Sequence, residues 1–182
     1  MRNSCVMVDI ETLDTAQTAV ILSIGACHFD LYSDQIGDTI LKTISLESNM
    51  NEGRTASAST ILWWLQQSKE AQDAFLAREQ LNLNNALRLF GAWCSNLSPR
   101  PKQIWAKDPD FDCAILQHAF AEQKIIWPFK FWESRSVRTI VDLAYGNEAP
   151  RFSTGTKHSA VDDATEQVKL VQAAHKALKP HY

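Results

Sequence analysis

The chain has 182 residues, 45% of them hydrophobic and 21% charged, with four cysteines and a formal net charge of −3. That balance suits one globular domain spanning 1–182, and no run of some 18 apolar residues offers a transmembrane helix. A net-negative chain lacks the basic face of a non-specific duplex binder. Cys5, Cys27, Cys94 and Cys113 form no CxxC pair, so buried free thiols in a reducing cytoplasm are expected rather than a disulfide framework or a zinc site.

In chain order, Cys5–Ile10 is an apolar run with Asp9 inside it, Val20–Phe29 a second, and Thr39–Leu46 alternates like a third strand. Short polar connections between them predict an antiparallel meander. Ser57 or Ser59 is placed to cap a helix through Ile61-Leu62-Trp63-Trp64-Leu65. Lys69–Ala77 continues as helix, and Asn84–Cys94 repeats apolar residues at helical spacing. Gln103–Ala106 reads as a short buried strand. Phe111–Gln123 reads as a helix with Asp110 as its cap, and a strand near Ser136–Arg138 leads into Thr139–Tyr145. After the polar loop Asn147–Lys157, a final helix runs over Ser159–Leu178. Three meandering strands followed by helices alternating with two more strands predict an α/β domain with a mixed five-stranded sheet.

The chemistry concentrates in carboxylates. Asp9 and Glu11, at positions i and i+2 of a strand, share one face. Their mutual repulsion and burial cost would be relieved by a hard cation with oxygen ligands. Taken alone, such a pair reads better as two solvated acids at a fraying strand end. Asp112 reads alone as an acid that suits the positive end of a helix, with Asp108 and Asp110 as competitors nearby. His158-Ser159-Ala160-Val161-Asp162-Asp163 opens the last helix. Ser159 and Asp162 fit a capping pattern, which leaves Asp163 without a structural role, and histidine as a residue type suits proton transfer near neutral pH, which makes His158 a candidate base.

Together, D-I-E-T near the start, F-D in the middle and H-x4-D near the end resemble the three motifs of the DEDD exonuclease superfamily, in its histidine-containing (DEDDh) branch. V-D-I-E-T, I-L-S-I-G-A and the stretch Trp63-Trp64-Leu65-x-Gln67-Ser68 add a likeness to small phage and prophage exonuclease VIII-like proteins and small exoribonucleases. The chain departs where relatives commonly have glycine in place of Asp14, and in Ala106-Lys107-Asp108-Pro109, where they often have a small or Asn-containing turn. The resemblance implies an RNase H-like fold with helices on both faces of the sheet. It implies a 3′–5′ exonuclease and a family in which dimers are common. The missing basic face favours single strands or 3′ overhangs over blunt duplex; no motif reports DNA against RNA, with DNA slightly favoured.

It further implies that Asp9, Glu11, Asp112 and Asp163 ligate two Mg²⁺ or Mn²⁺ ions roughly 4 Å apart, with Asp9 bridging. Glu11 and His158 are then the catalytic pair, His158 as general base. Thr12, Leu13, Trp63, Trp64 and Lys157 are the expected substrate contacts, Leu13 as a wedge and one tryptophan as a stacking platform. Two adjacent helical residues point apart, so at most one of Trp63 and Trp64 is expected in the site, and a place in the core for both is an equal alternative. Arg138 and Arg151 are further candidates for phosphate. Two divalent ions would bring the net charge from −3 to +1, so the acidity does not oppose a polyanionic substrate.

Two rivals carry less. A haloacid-dehalogenase-type phosphatase would need Asp at the second acid and Thr shortly after, and Glu11 and Asp14 fail on both counts. A non-catalytic nucleic-acid-binding module would gain nothing from retaining the four acids and His158. Neither GxGxxG nor a P-loop is present.

Overall fold

The computed structural model describes residues 3–75, 79–152 and 158–178. Strands β1 (Ser4–Thr12), β2 (Ile21–Asp30) and β3 (Ile36–Thr43) form the antiparallel meander. The third strand runs three residues earlier than the alternation suggests, because Ser45 caps a short helix α1 (Leu46–Asn51) by accepting from Ser48 N–H. Helix α2 (Ala58–Trp64) is capped by Ser57, not Ser59, and is followed by α3 (Lys69–Phe75) and α4 (Leu83–Asn96), whose cap is Asn82.

Strand β4 (Gln103–Ala106) runs parallel to β1 and leads into α5 (Asp112–Glu122). Asp110 is not the cap of α5. Phe111 holds that position without a side-chain bond, and the Asp108 carbonyl accepts from Phe111 and Asp112 N–H at 2.9 and 3.1 Å. The last strand, β5 (Ser134–Ser136), ends where the expected one began, since the Ser136 side chain accepts from Thr139 N–H and starts helix α6 at Val137 (Val137–Tyr145). Helix α7 (Ala160–Leu178) closes the fold.

The sheet order is β3-β2-β1-β4-β5, antiparallel on one side of β1 and parallel on the other. Central β1 is apolar on both faces because helices cover both. Val6, Val8 and Ile10 pack with α4 and α5 through Leu87, Phe90, Leu116 and Phe120. Cys5 and Met7 pack on the other face with Cys27, Phe29, Trp105 and Ala164, Val168 and Val171 of α7. All four cysteines are buried and unpaired.

Strand alternation therefore commits Asp9 and Glu11 to the α7 face. Gly25 lies opposite Asp9 in the β1–β2 register. A Cβ there would sit 2.1 Å from the Ala160 carbonyl carbon and 2.2 Å from the Val161 nitrogen. The missing side chain lets the first turn of α7 lie against the sheet, which brings His158 and Asp163 to the strand acids. No described helix is long and apolar enough to cross a membrane.

Candidate active site

The site forms at the C-terminal ends of β1 and β4, where the sheet switches from antiparallel to parallel pairing and such folds commonly bind ligands. Asp9 and Glu11 enter from β1. Asp112, 4% exposed, enters from the first turn of α5, and its Oδ1 accepts from Ile10 N–H at 3.2 Å. Asp163 enters from the first turn of α7 and accepts the backbone N–H of His158. Ligand atoms of Glu11, His158 and Asp163 lie within 4.8 Å of one another. Four acids more than a hundred residues apart at the extremes thus converge.

Their acidities record that crowding. Burial, then the charges of Asp112 and Asp163, hold Asp9 well above the ordinary carboxylate range. Glu11 is pushed up to about 9 by burial and then by Asp9, Asp163 and Asp112. Asp112 rises to about 7 from burial, against the pull of N–H groups of Ile10, Asp112 itself and Asp108. Asp163 is raised by burial and drawn back by His158 and Lys107. Carboxylates so placed stay charged at neutral pH only if positive charge joins them. A cluster of carboxylate oxygens suits hard divalent cations, so the acids fit the ions that the resemblance implies.

His158 occupies the left-handed region at φ 63. Its ring meets Trp63 edge-on at 5.0 Å and Trp64 at 5.9 Å, while the two indoles meet each other at 5.0 Å. Both tryptophans thus border the site, contrary to the expectation of at most one, because the long rings converge on the imidazole although their Cβ atoms diverge. Their surroundings differ. Trp64 is 4% exposed and donates Nε1–H to the Thr12 carbonyl at 2.9 Å, whereas Trp63 is 43% exposed. A cleft of about 390 Å³ lies alongside, lined by Glu11, Thr12, Ser59, Thr60, Trp63 and Phe111 among others.

The remaining sequence candidates sort by position. Thr12 lines the cleft, and its hydroxyl donates to the Asp14 carbonyl at 2.8 Å. Leu13 is buried against Val20, Leu22, Trp64 and Ala71. Lys157 lies outside the described residues. Arg138 is paired with Asp108 at 3.0 Å, and Arg151 is exposed. Asp14, where the resemblance led to an expectation of glycine, has no positive φ, and its carboxylate accepts from the Thr55 hydroxyl at 2.7 Å, tying down the β1–β2 connection.

Two neighbours of the acids had no role in the sequence reading. Gln167 donates Nε2–H to Asp9 Oδ1 at 2.7 Å, and its Oε1 is buried without a partner among the described residues. It follows Asp163 by four residues, one helical turn, which was the available signal. The positive charge of Lys107 lowers both Asp9 and Asp163. Its signal was the place immediately after β4, whose end abuts that of β1.

The family described as the 3′–5′ exoribonuclease Rv2179c-like domain matches residues 4–175. An exodeoxyribonuclease of Enterobacteria phage T4 is 23% identical over 159 residues, 75% of this chain and 70% of that protein. Among solved structures, cell-death related nuclease 4 superposes with a TM-score of 0.65 at 14% identity, covering 94% of this chain and 63% of that one. Exonuclease I of E. coli, in complex with a dT13 oligonucleotide, gives 0.66 at 11% identity, with 94% and 40% covered. The nuclease domain of 3′hExo, a DEDDh family member bound to rAMP, gives 0.59 at 12% identity, with 94% and 90% covered. The chain thus spans less than two thirds of the first two of these structures, and at such identities the likeness establishes the fold.

Proposed function

The chain belongs to the 3′–5′ exoribonuclease Rv2179c-like domain family, and from that premise we propose that it is a DEDDh-type exonuclease, how it works and on what. It removes nucleoside 5′-monophosphates in turn from the 3′ end of a single strand. The observation that carries this reading is the meeting of Asp9, Glu11, Asp112, Asp163 and His158 beside a cleft of about 390 Å³, a volume suited to one terminal nucleotide.

In this reading Asp9, Glu11, Asp112 and Asp163 would hold two Mg²⁺ or Mn²⁺ ions. Bound there, such ions offset the phosphate charge and assist in-line displacement by water. His158 accepts the proton of the attacking water. Asp163 holds the His158 backbone through its N–H, and the two indoles restrict the imidazole from the sides. Glu11 faces the same imidazole and orients the water. Trp64 fixes the Thr12 carbonyl, so the strand end keeps its shape under the sugar, and Trp63 offers an exposed ring to the terminal base.

The family's description puts RNA ahead of the DNA preference expected from the sequence, and the phage T4 exodeoxyribonuclease favours DNA as the second reading. Matched 5′-labelled DNA and RNA single strands, incubated with Mg²⁺ and followed by product mass, test both. Stepwise shortening with release of 5′-monophosphates, faster on RNA, is expected. Internal cleavage, or no product from either polymer, overturns the reading.

A further inference from the structure

We propose that the opposite end of the sheet is a second binding surface for the same polymer, gripping the single strand several nucleotides upstream of the 3′ end; this rests on the nucleic-acid reading above. The connections that enter β4 and β5 meet there. Arg100 Nη2 donates to the Pro128 carbonyl at 3.4 Å, and the parallel pairing of β4 with β5 begins just beyond, at Ile104–Ser134.

Charge marks this end out. Residues 98–102 and 124–135 carry Arg100, Lys102, Lys124, Lys130 and Arg135 against Glu133 alone. The chain holds 18 basic and 21 acidic residues in all, so 13 basic face 20 acidic elsewhere. A polyanion repelled by most of the molecule is drawn to this end.

The apolar side chains are as unusual as the charge. Ile126 is 90% exposed, Phe131 83% and Trp132 55%. Phe131 and Trp132 meet edge-on at 4.7 Å, and the Lys130 ammonium lies 5.0 Å from the Trp132 ring centre. Nothing in the core needs these rings. Exposed aromatic rings interleaved with cations are the chemistry that holds single strands regardless of sequence, bases on rings and phosphates on cations. Beside them runs a groove of about 540 Å³ whose lining includes Arg88, Arg100, Lys124 and Trp127 and no acid.

The two ends are joined by β1. Ser4 to Glu11 spans about 23 Å at the usual strand rise, within reach of a strand of about 4–16 nucleotides, the length such surfaces engage. A trinucleotide in the cleft would not reach the far end.

The test uses the full chain with Ca²⁺ in place of Mg²⁺ and fluorescence anisotropy of a labelled single strand of about 20 nucleotides. The triple variant Lys130→Ala, Phe131→Ala, Trp132→Ala should bind it about tenfold more weakly. Lys130→Ala alone should make the salt dependence shallower by about 0.7 in log–log slope. Trinucleotide affinity and turnover should not change. Phe131→Ala alone, at a site almost wholly in solvent, serves if the triple variant folds poorly. Unchanged long-strand affinity overturns the proposal, as does an equal loss for long strand and trinucleotide. So does a shift from dimer to monomer in sedimentation with strand affinity kept, which would assign the surface to a second copy. If the wild type degrades nothing yet the variants still lose the long strand, the proposed function fails and this surface stands.

Discussion

The two ends of the sheet solve opposite problems with charge. At the C-terminal ends of β1 and β4, four carboxylates are packed together against their own repulsion, and burial raises each of them. At the N-terminal ends of β4 and β5, cations and aromatic rings stand in solvent with little packed on them. The first end is held by tertiary contacts from β1, α5 and α7 at once, so changes there are felt by fold, metal affinity and turnover together. The second is made of two short connections, and changes there should be felt by binding alone.

Asp9→Asn breaks the comparison most severely. It removes the charge that Asp112 and Asp163 both oppose, so Mg²⁺-dependent cleavage should fall below detection while the cation-free protein melts higher than the wild type. Retained cleavage would remove Asp9 from the proposed ion site. Gly25→Ala should follow, since its methyl would displace the backbone of Ala160 and Val161. Overpacking of this kind costs about 1–3 kcal/mol, and activity should fall with it because His158 and Asp163 move. A denaturant melt with an unchanged midpoint would show that α7 adjusts freely.

His158→Asn sharpens the contrast by separating chemistry from fold. Asn accepts the left-handed backbone that His158 adopts at φ 63, so the midpoint should hold while turnover drops about 10²–10⁴-fold, the usual yield of a general base. Wild-type turnover at neutral pH would exclude His158 from proton transfer.

The acids also predict a pH response. For a group whose acidity is weakened on folding, the protonated form favours the native state. Stability is therefore greatest below the unfolded values near 4 and is lost as pH rises through about 7 for Asp112 and about 9 for Glu11. In EDTA the melting temperature should fall from pH 5 to pH 9. Saturating Mg²⁺ at pH 8 should restore about 5–10 °C, with little effect at pH 5. A flat profile with EDTA would mean that the cluster is not strained. The smallest effect is expected from Gln167→Ala, which frees Asp9 Oδ1. The Mg²⁺ concentration for half-maximal activity should rise about tenfold with turnover at saturation kept, and an unchanged titration would leave Gln167 a packing residue.

Much of this was legible in the chain. Alternation in β1 put Asp9 and Glu11 on one face, Ser57 started α2 as its position suggested, and the meander and β4 followed from local pattern. Local pattern failed where two local structures competed. Ser45 and Ser136 were each able to end a strand or begin a helix, and both began helices.

What the sequence determined by itself is which side chains lie on which face of each element, because strand and helix periods are set by the backbone. Tertiary structure alone decided which of those faces meet. The Gln167–Asp9 bond spans 158 residues, Trp64 reaches Thr12 across 52, and α7 comes close enough only because Gly25 carries no side chain. Such contacts depend on how elements stack, a choice made by packing the whole core at once, and no short window of residues carries it.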